Sequence, residues 1–378
     1  MAKILVLGCG LVGKTIVKDL AKNHEVAVVD IQLENIETIL KQAEIKFYIG
    51  NAADKEFLAP IVKDYDLVVS AVPGFLGFSV LKNLIELGKN VVDIAFFPEN
   101  AFELDDLAKA NGVSCVVDCG IAPGLSNMIV GYHSFFDKVD SATIYVGGLP
   151  FERTLPFEYK APFSPTDVLE EYIRPARFKE NGKIITKEPL TEIEYLNFKG
   201  IGTLEAFLTD GLRTLLFTTD IPELREKTLR YPGYAEKILF LKECGLLSTE
   251  TVETRDGKVV PLHLLEKLLL PKWKLLPEDE EFTVMRIKLK DKAKDVEIFY
   301  EIFDRTDKFA GDSSMGRTTG FVACAVANLM LEGGVERQGI IPPEILARKR
   351  ENFDYVLNYL KSRNINIEKF EAKNGGNI

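Results

Sequence analysis

Gly8-Cys9-Gly10-Leu11-Val12-Gly13 ends a short apolar run, Lys3-Ile4-Leu5-Val6-Leu7, and opens a segment of helical period. In that setting G-x-G-x-x-G is a pattern that holds phosphate. Gly8 permits a tight turn, Gly10 lets the backbone approach a pyrophosphate, and Gly13 lets the helix lie close on the strand. Leu11 and Val12 start a helix whose unpaired N–H groups face the anion. The next apolar run ends in Asp30, about 20 residues on, where a carboxylate accepts hydrogen bonds from an adenosine ribose. Ile31 and Gln32 follow it, with no Lys or Arg to neutralise a 2′-phosphate, so NAD is expected rather than NADP. The fourth run ends Ser70-Ala71-Val72-Pro73-Gly74, at the edge the cofactor must cross. Ala71, Val72 and Pro73 are expected to line that path, although a strand simply ended by Pro-Gly explains the same residues.

Two more carboxylates, Asp93 and Asp118, close the fifth and sixth runs at the same edge. Each is a candidate base or cation holder, and each is equally explained as a helix cap or loop brace. Asp118 opens Asp118-Cys119-Gly120-Ile121-Ala122-Pro123-Gly124-Leu125-Ser126-Asn127, whose Pro and glycines indicate a fixed turn into a helix. His133, on an apolar helix face, is an alternative base whose simplest reading is a core histidine. The five cysteines, at 9, 115, 119, 244 and 324, lie in apolar runs without a C-x-x-C pair. They read as reduced core residues, and no metal is expected.

The elements that must position these groups follow a simple grammar. Apolar runs at 3–8, 25–30, 45–50, 66–72, 90–95 and 114–120 alternate with helical segments near 11–22, 33–43, 54–63, 77–87, 101–111 and 124–136. That is an α/β fold, a Rossmann doubly wound parallel sheet. Beyond 137 the pattern turns to alternating strands at 141–148, 282–290 and 296–303, with helices expected at 166–174, 204–218 and 234–245 and a tight turn at Asp256-Gly257. A second α+β domain with a mixed or antiparallel sheet is expected. The run 315–333 is apolar all round and predicts a buried helix, 343–361 an amphipathic one, and the last six residues look frayed. The expected division is an NAD-binding domain over 1–137 with return helices 313–378, interrupted by a substrate-binding and dimerisation domain over 138–312.

The chain has 378 residues, 46% of them hydrophobic, and a formal net charge of −10. Its length suits two cores, and its acidity argues against nucleic acid or an anionic membrane surface as partner. The N-terminal apolar run is too short for a signal-peptide core, and no stretch nears ~20 uninterrupted apolar residues, so a cytoplasmic protein is expected.

Several stretches resemble the saccharopine dehydrogenase family: GCGLVGK at 8–14, DCGIAPGLSN at 118–127, YVGGLP at 145–150, SPTDVLEEYIRPA at 164–176, GTLEAFLTDGLRTL at 202–215, KTLRYPGYAEK at 227–237 and RTTGF at 317–321. The resemblance implies NAD-dependent oxidation of the ε-amine carbon of L-lysine, giving a semialdehyde that cyclises to piperideine-6-carboxylate, with release of ammonia. Lysine's ammonium, with pKa about 10.4, must first lose a proton, and Asp118 and Asp93 are the candidates to receive it. The substrate carboxylate calls for an Arg fork, and Arg213, Arg230 and Arg317 stand in the matching stretches. Glu205 and Asp210 could hold the α-ammonium, or could equally cap a helix or pair with Arg213; Asn127 and Thr318 are further candidate contacts. Between 250 and 310 nothing matches, and no substrate contact is assigned there. Within enzymes, saccharopine or a carboxynorspermidine-type secondary amine is the alternative substrate, and its extra carboxylates would require additional Arg or Lys. An NAD-sensing protein is the non-enzyme alternative, recognisable by an apolar wall facing the nicotinamide. The family and the apolar face of the second sheet together suggest a homodimer.

Overall fold

Short Val-, Ile- and Leu-rich runs with no polar alternation require burial on both faces, and a parallel sheet covered by helices provides it. In the computed structural model, which describes residues 1–41 and 44–373, seven strands form one sheet, the edge strand Lys46–Ile49 being largely exposed. Its order is Gly339–Ile341, Ser114–Val116, Val91–Asp93, Leu67–Ser70, Lys3–Leu7, Glu25–Asp30 and Lys46–Ile49, with every neighbouring pair parallel. The chain winds outward from Lys3–Leu7 in both directions, which places a crevice at the carboxyl end of that strand. This is the doubly wound sheet expected from the sequence. Its seventh strand, Gly339–Ile341, was not foreseen. The helix expected over 33–43 is seen at Leu33–Leu40, and positions 42 and 43 lie outside the described residues.

The second sheet is mixed. Along its main path run Glu194–Phe198, Gly202–Leu208, Glu223–Arg230, Val139–Pro150, Glu281–Asp291, Val296–Arg305 and Ile367–Lys373, with Ala176–Glu180 and Lys183–Lys187 added beside Glu223–Arg230. Only the Glu223–Arg230/Val139–Pro150 pair in it is parallel; the other pairs are antiparallel. Three expectations are corrected here. The helix expected over 204–218 is a strand, Gly202–Leu208, followed by the single turn Leu215–Thr218. Hydrogen bonding to strands on both sides outweighs the helical propensity of its Leu, Glu and Ala residues. The 343–361 segment breaks into Pro343–Leu346 and Arg350–Lys361. The tail 313–378 does not consist only of return helices: Ile367–Lys373 pairs with Val296–Arg305 in the second sheet. Of the residues expected to fray, 374–378 lie outside those described.

One buried helix, Ser314–Leu331, holds the two sheets together. Val322, Ala323, Val326 and Leu329 share an apolar cluster with Ile4 and Val92 of the first sheet and Met285 and Ile287 of the second. It packs closely on the Leu11–Leu20 helix, because a Cβ on Gly316 would meet Thr15 Oγ1 at 2.8 Å. Thr15 in turn donates a 2.8 Å hydrogen bond to Asp312. The helix that carries the glycine turn is thereby braced from behind. Among the described residues, no helix is long and apolar enough to cross a membrane.

Candidate active site

A cleft of about 510 Å³ opens at the carboxyl ends of the first sheet's strands and extends to the second sheet. Gly8, Gly10, Leu11, Val12, Gly13, Asp30, Ala71, Val72 and Pro73 all line it. Gly8 adopts φ +92°, and a Cβ there would meet the Ala71 carbonyl oxygen at 2.5 Å. A Cβ on Gly10 would meet nothing within 4 Å, so its backbone faces open space. The Leu11–Leu20 helix has no side-chain cap, which leaves its first N–H groups for an anion. Asp30 Oδ2 accepts from Cys9 N at 2.7 Å and Oδ1 from Gln32 N at 2.7 Å, which fixes the carboxylate against the glycine turn. Its lining neighbours Ile31, Gln32, Asn35 and Asn51 include no cation. These residues fit a dinucleotide.

Most of the side chains nominated for substrate chemistry lie elsewhere. Asp118 and Arg213 are both buried, Arg213 Nε donating to Asp118 Oδ1 at 3.0 Å and Nη1 to the Phe97 carbonyl. Burial pushes the Asp118 carboxyl up and the guanidinium of Arg213 opposes it. Asp93 is wholly buried behind the cleft, accepts from Ala95 N at 2.8 Å, and is pushed up to about 7 by burial. None of the three lines the cleft. Glu205 takes the capping role: its two oxygens accept from Gly233 N at 2.7 Å and Ala235 N at 2.5 Å, at the start of the Tyr234–Glu243 helix. Arg317 is bound to Asp304 and Asp307, and Thr318 donates to the Ser314 carbonyl within its own helix. Asn127 accepts from Gly124 N at 3.3 Å and stabilises the turn. His133 is bound between Asp137, at 2.6 Å, and the Tyr300 hydroxyl, at 2.8 Å, and burial pushes its pKa down; it is a core histidine.

Two of the nominated groups do line the cleft, and four unnominated ones join them. Asp210 is present, paired with Arg177 rather than Arg213, at 2.7 Å. Arg230 is present too, its guanidinium donating to Glu171, Tyr172 and the Leu229 carbonyl. The newcomers are Asp167, Glu171, Arg174 and Glu226. Glu226, Thr228 and Arg230 alternate along the Glu223–Arg230 strand and so share one face, aimed into the cleft. Glu226 Oε2 accepts from Thr209 Oγ1 at 2.7 Å and from Gly211 N at 3.0 Å, and burial pushes the carboxyl up to about 8. Glu171 is pushed up to about 7 by burial despite its contact with Arg230. Asp167 accepts from Gly74 N at 3.2 Å and so ties the second sheet's side of the cleft to the first sheet's. Period-two spacing in Glu226-x-Thr228-x-Arg230 was the available signal for Glu226. Asp167, Glu171 and Arg174 lie in the matching stretch 164–176, and that was the signal available for them.

Residues 4–116 match the model of the saccharopine dehydrogenase NADP binding domain, and residues 120–365 that of the saccharopine dehydrogenase C-terminal domain. The chain is 27% identical over 290 residues to the mitochondrial alpha-aminoadipic semialdehyde synthase of Bos taurus, covering 70% of this chain and 31% of that protein. It is 26% identical over 269 residues to the saccharopine dehydrogenase [NADP(+), L-glutamate-forming] of Saccharomyces cerevisiae, covering 66% of this chain and 59% of that one. The chain thus spans about a third of the first relative's length and under two thirds of the second's. The apo structure of the L-Glu-forming saccharopine dehydrogenase from Saccharomyces cerevisiae superposes with a TM-score of 0.80 at 19% identity, covering 98% of this chain and 100% of that one, and so shares the fold.

Proposed function

The chain belongs to the saccharopine dehydrogenase family, and from that premise we propose that it is a lysine 6-dehydrogenase that uses NAD. One observation carries this reading: the substrate half of the cleft is acid-rich, with Asp167, Glu171, Asp210 and Glu226 set against Arg174 and Arg230. Lysine, with a net positive charge, suits that wall better than saccharopine, whose additional carboxylates would need further cations. The ionisable lining also supports an enzyme over a protein that only senses the nucleotide. The acidic Asp30, held by two backbone amides with no Lys or Arg beside it, supports NAD over NADP.

The dinucleotide, which Gly8, Gly10, Gly13 and Asp30 would hold, would supply the acceptor for the hydride that leaves the substrate's ε-carbon. Glu226 in its carboxylate form receives the proton of the ε-ammonium, with Thr209 and Gly211 orienting the carboxylate by their hydrogen bonds. The substrate becomes an iminium, water adds to it, and ammonium leaves as the semialdehyde forms; the free α-amine then closes the ring with loss of water. Asp118 and Asp93, sealed behind the cleft, take no proton from substrate in this scheme. We assign the dinucleotide to 1–137 with the helices after 313, and the substrate to 138–312. We also assign a homodimer, which the exposed Phe151, Tyr195 and Phe303 around the second sheet support. Turnover of L-lysine followed as NADH formation tests the activity, and light scattering tests the dimer.

A further inference from the structure

We propose that Arg174 grips the carboxylate of the amino-acid substrate and so sets the preference for an amino acid over a plain amine of the same chain length; this rests on the amine-oxidising reading above. The two cleft arginines differ in their charge partners. Arg230 is ion-paired with Glu171 and donates to two tyrosine hydroxyls and a carbonyl through Nη1 and Nη2, with Nε alone left without a partner. Arg174 has no ion pair among the described residues, and its Nη1 is buried without a hydrogen-bond partner. A guanidinium N–H withdrawn from water and left unpaired is unfavourable unless a ligand supplies the acceptor.

The surroundings favour a carboxylate as that ligand. The Arg174 guanidinium lies 4.9 Å from the centroid of the Phe96 ring, which steadies the cation without consuming its in-plane N–H groups. Nearby Asp210 is committed to Arg177 through Nε at 2.9 Å and Nη2 at 2.7 Å, and so does not compete. A planar fork with free donors matches the two oxygens of a carboxylate. With Glu226 in the same cleft, the wall offers a cation for one end of the substrate and a carboxyl group for the other.

The test compares L-lysine with 1,5-diaminopentane, which has the same reacting amine and no carboxylate, in the wild-type protein, Arg174→Met and Arg174→Lys. The expected result for Arg174→Met is a fall in kcat/KM for lysine on the order of 100-fold, mostly in KM. Diaminopentane turnover and the KM for NAD should stay unchanged, and Arg174→Lys should recover part of the loss. An equal fall for both amines would overturn the proposal and make Arg174 structural. Calorimetric titration of 6-aminohexanoate into the NAD-loaded protein separates this from the reaction itself. If the wild-type protein fails to oxidise lysine, the functional reading falls. Arg174 still stands as the carboxylate grip if the wild type binds 6-aminohexanoate and Arg174→Met does not. Equal binding by both, or none by the wild type, overturns it.

Discussion

Arg213 Nε donates to Asp118 Oδ1 at 3.0 Å, with both side chains buried, and this pair joins the strand end of the first sheet to the loop after Gly202–Leu208 in the second. Removing one partner leaves an uncompensated buried charge, which costs about 3–5 kcal/mol. Arg213→Ala and Asp118→Asn should each lower the unfolding free energy, read from denaturant titration, by that order, and the double variant should lose less than their sum. The KM for lysine should stay near wild type in the folded Arg213→Ala protein. A strong rise in that KM at unchanged stability would return Arg213 to the substrate site.

Burial holds Glu226 near 8, so its proton-accepting form grows in as pH rises through that value. The profile of kcat/KM against pH should therefore climb through about 8. Glu226→Gln should reduce kcat/KM by about 100-fold or more and lose that limb. A variant that keeps the same alkaline rise would exclude Glu226 as the proton acceptor.

Asp30→Arg should shift the NAD to NADP preference towards NADP, because it exchanges a ribose acceptor for a phosphate partner. Since the carboxylate also accepts from Cys9 and Gln32, the KM for both cofactors should rise. Kinetics with each cofactor varied separately reads both effects. An unchanged ratio would mean that Asp30 does not face the ribose.

Glu281 is buried, accepts from Met315 N at 2.9 Å, and is pushed up to about 8 by burial. In the unfolded chain an ordinary glutamate titrates near 4.3. The folded state therefore holds this proton more firmly, and the stability it contributes, full at acid pH, is lost as pH rises through about 8. Glu281→Gln should flatten the fall in Tm between about pH 5 and 8. A fall as steep as wild type would show that Glu281 titrates normally.

The cofactor half of the cleft was legible because its signal is local. A strand, three glycines, a helix and the next strand's acidic end lie within 30 consecutive residues, and short-range geometry alone brings Asp30 to Cys9. The substrate half is assembled from distant segments, and residue type does not reveal which partner each charge will find. Arg213, Arg230 and Arg317 looked alike in sequence, yet Asp118, Glu171 and Asp304 bind them, and the cleft arginine without an ion pair among the described residues is Arg174. Asp93 ends its strand and Asp118 lies two residues past the end of Ser114–Val116, both at the expected edge, but they turn inward, where Ala95 and Arg213 hold them. The strand Gly202–Leu208 was hidden by helix-forming residues, because its conformation is decided by neighbours far along the chain.

The most direct test of the account is the initial rate of NADH formation by the wild-type protein with L-lysine and with saccharopine, each at equal concentration with saturating NAD. An acid-rich cleft with one unpaired arginine predicts a kcat/KM for lysine at least about tenfold above that for saccharopine, a difference of about 1.4 kcal/mol in transition-state binding. Faster turnover of saccharopine, or turnover of saccharopine alone, would contradict it.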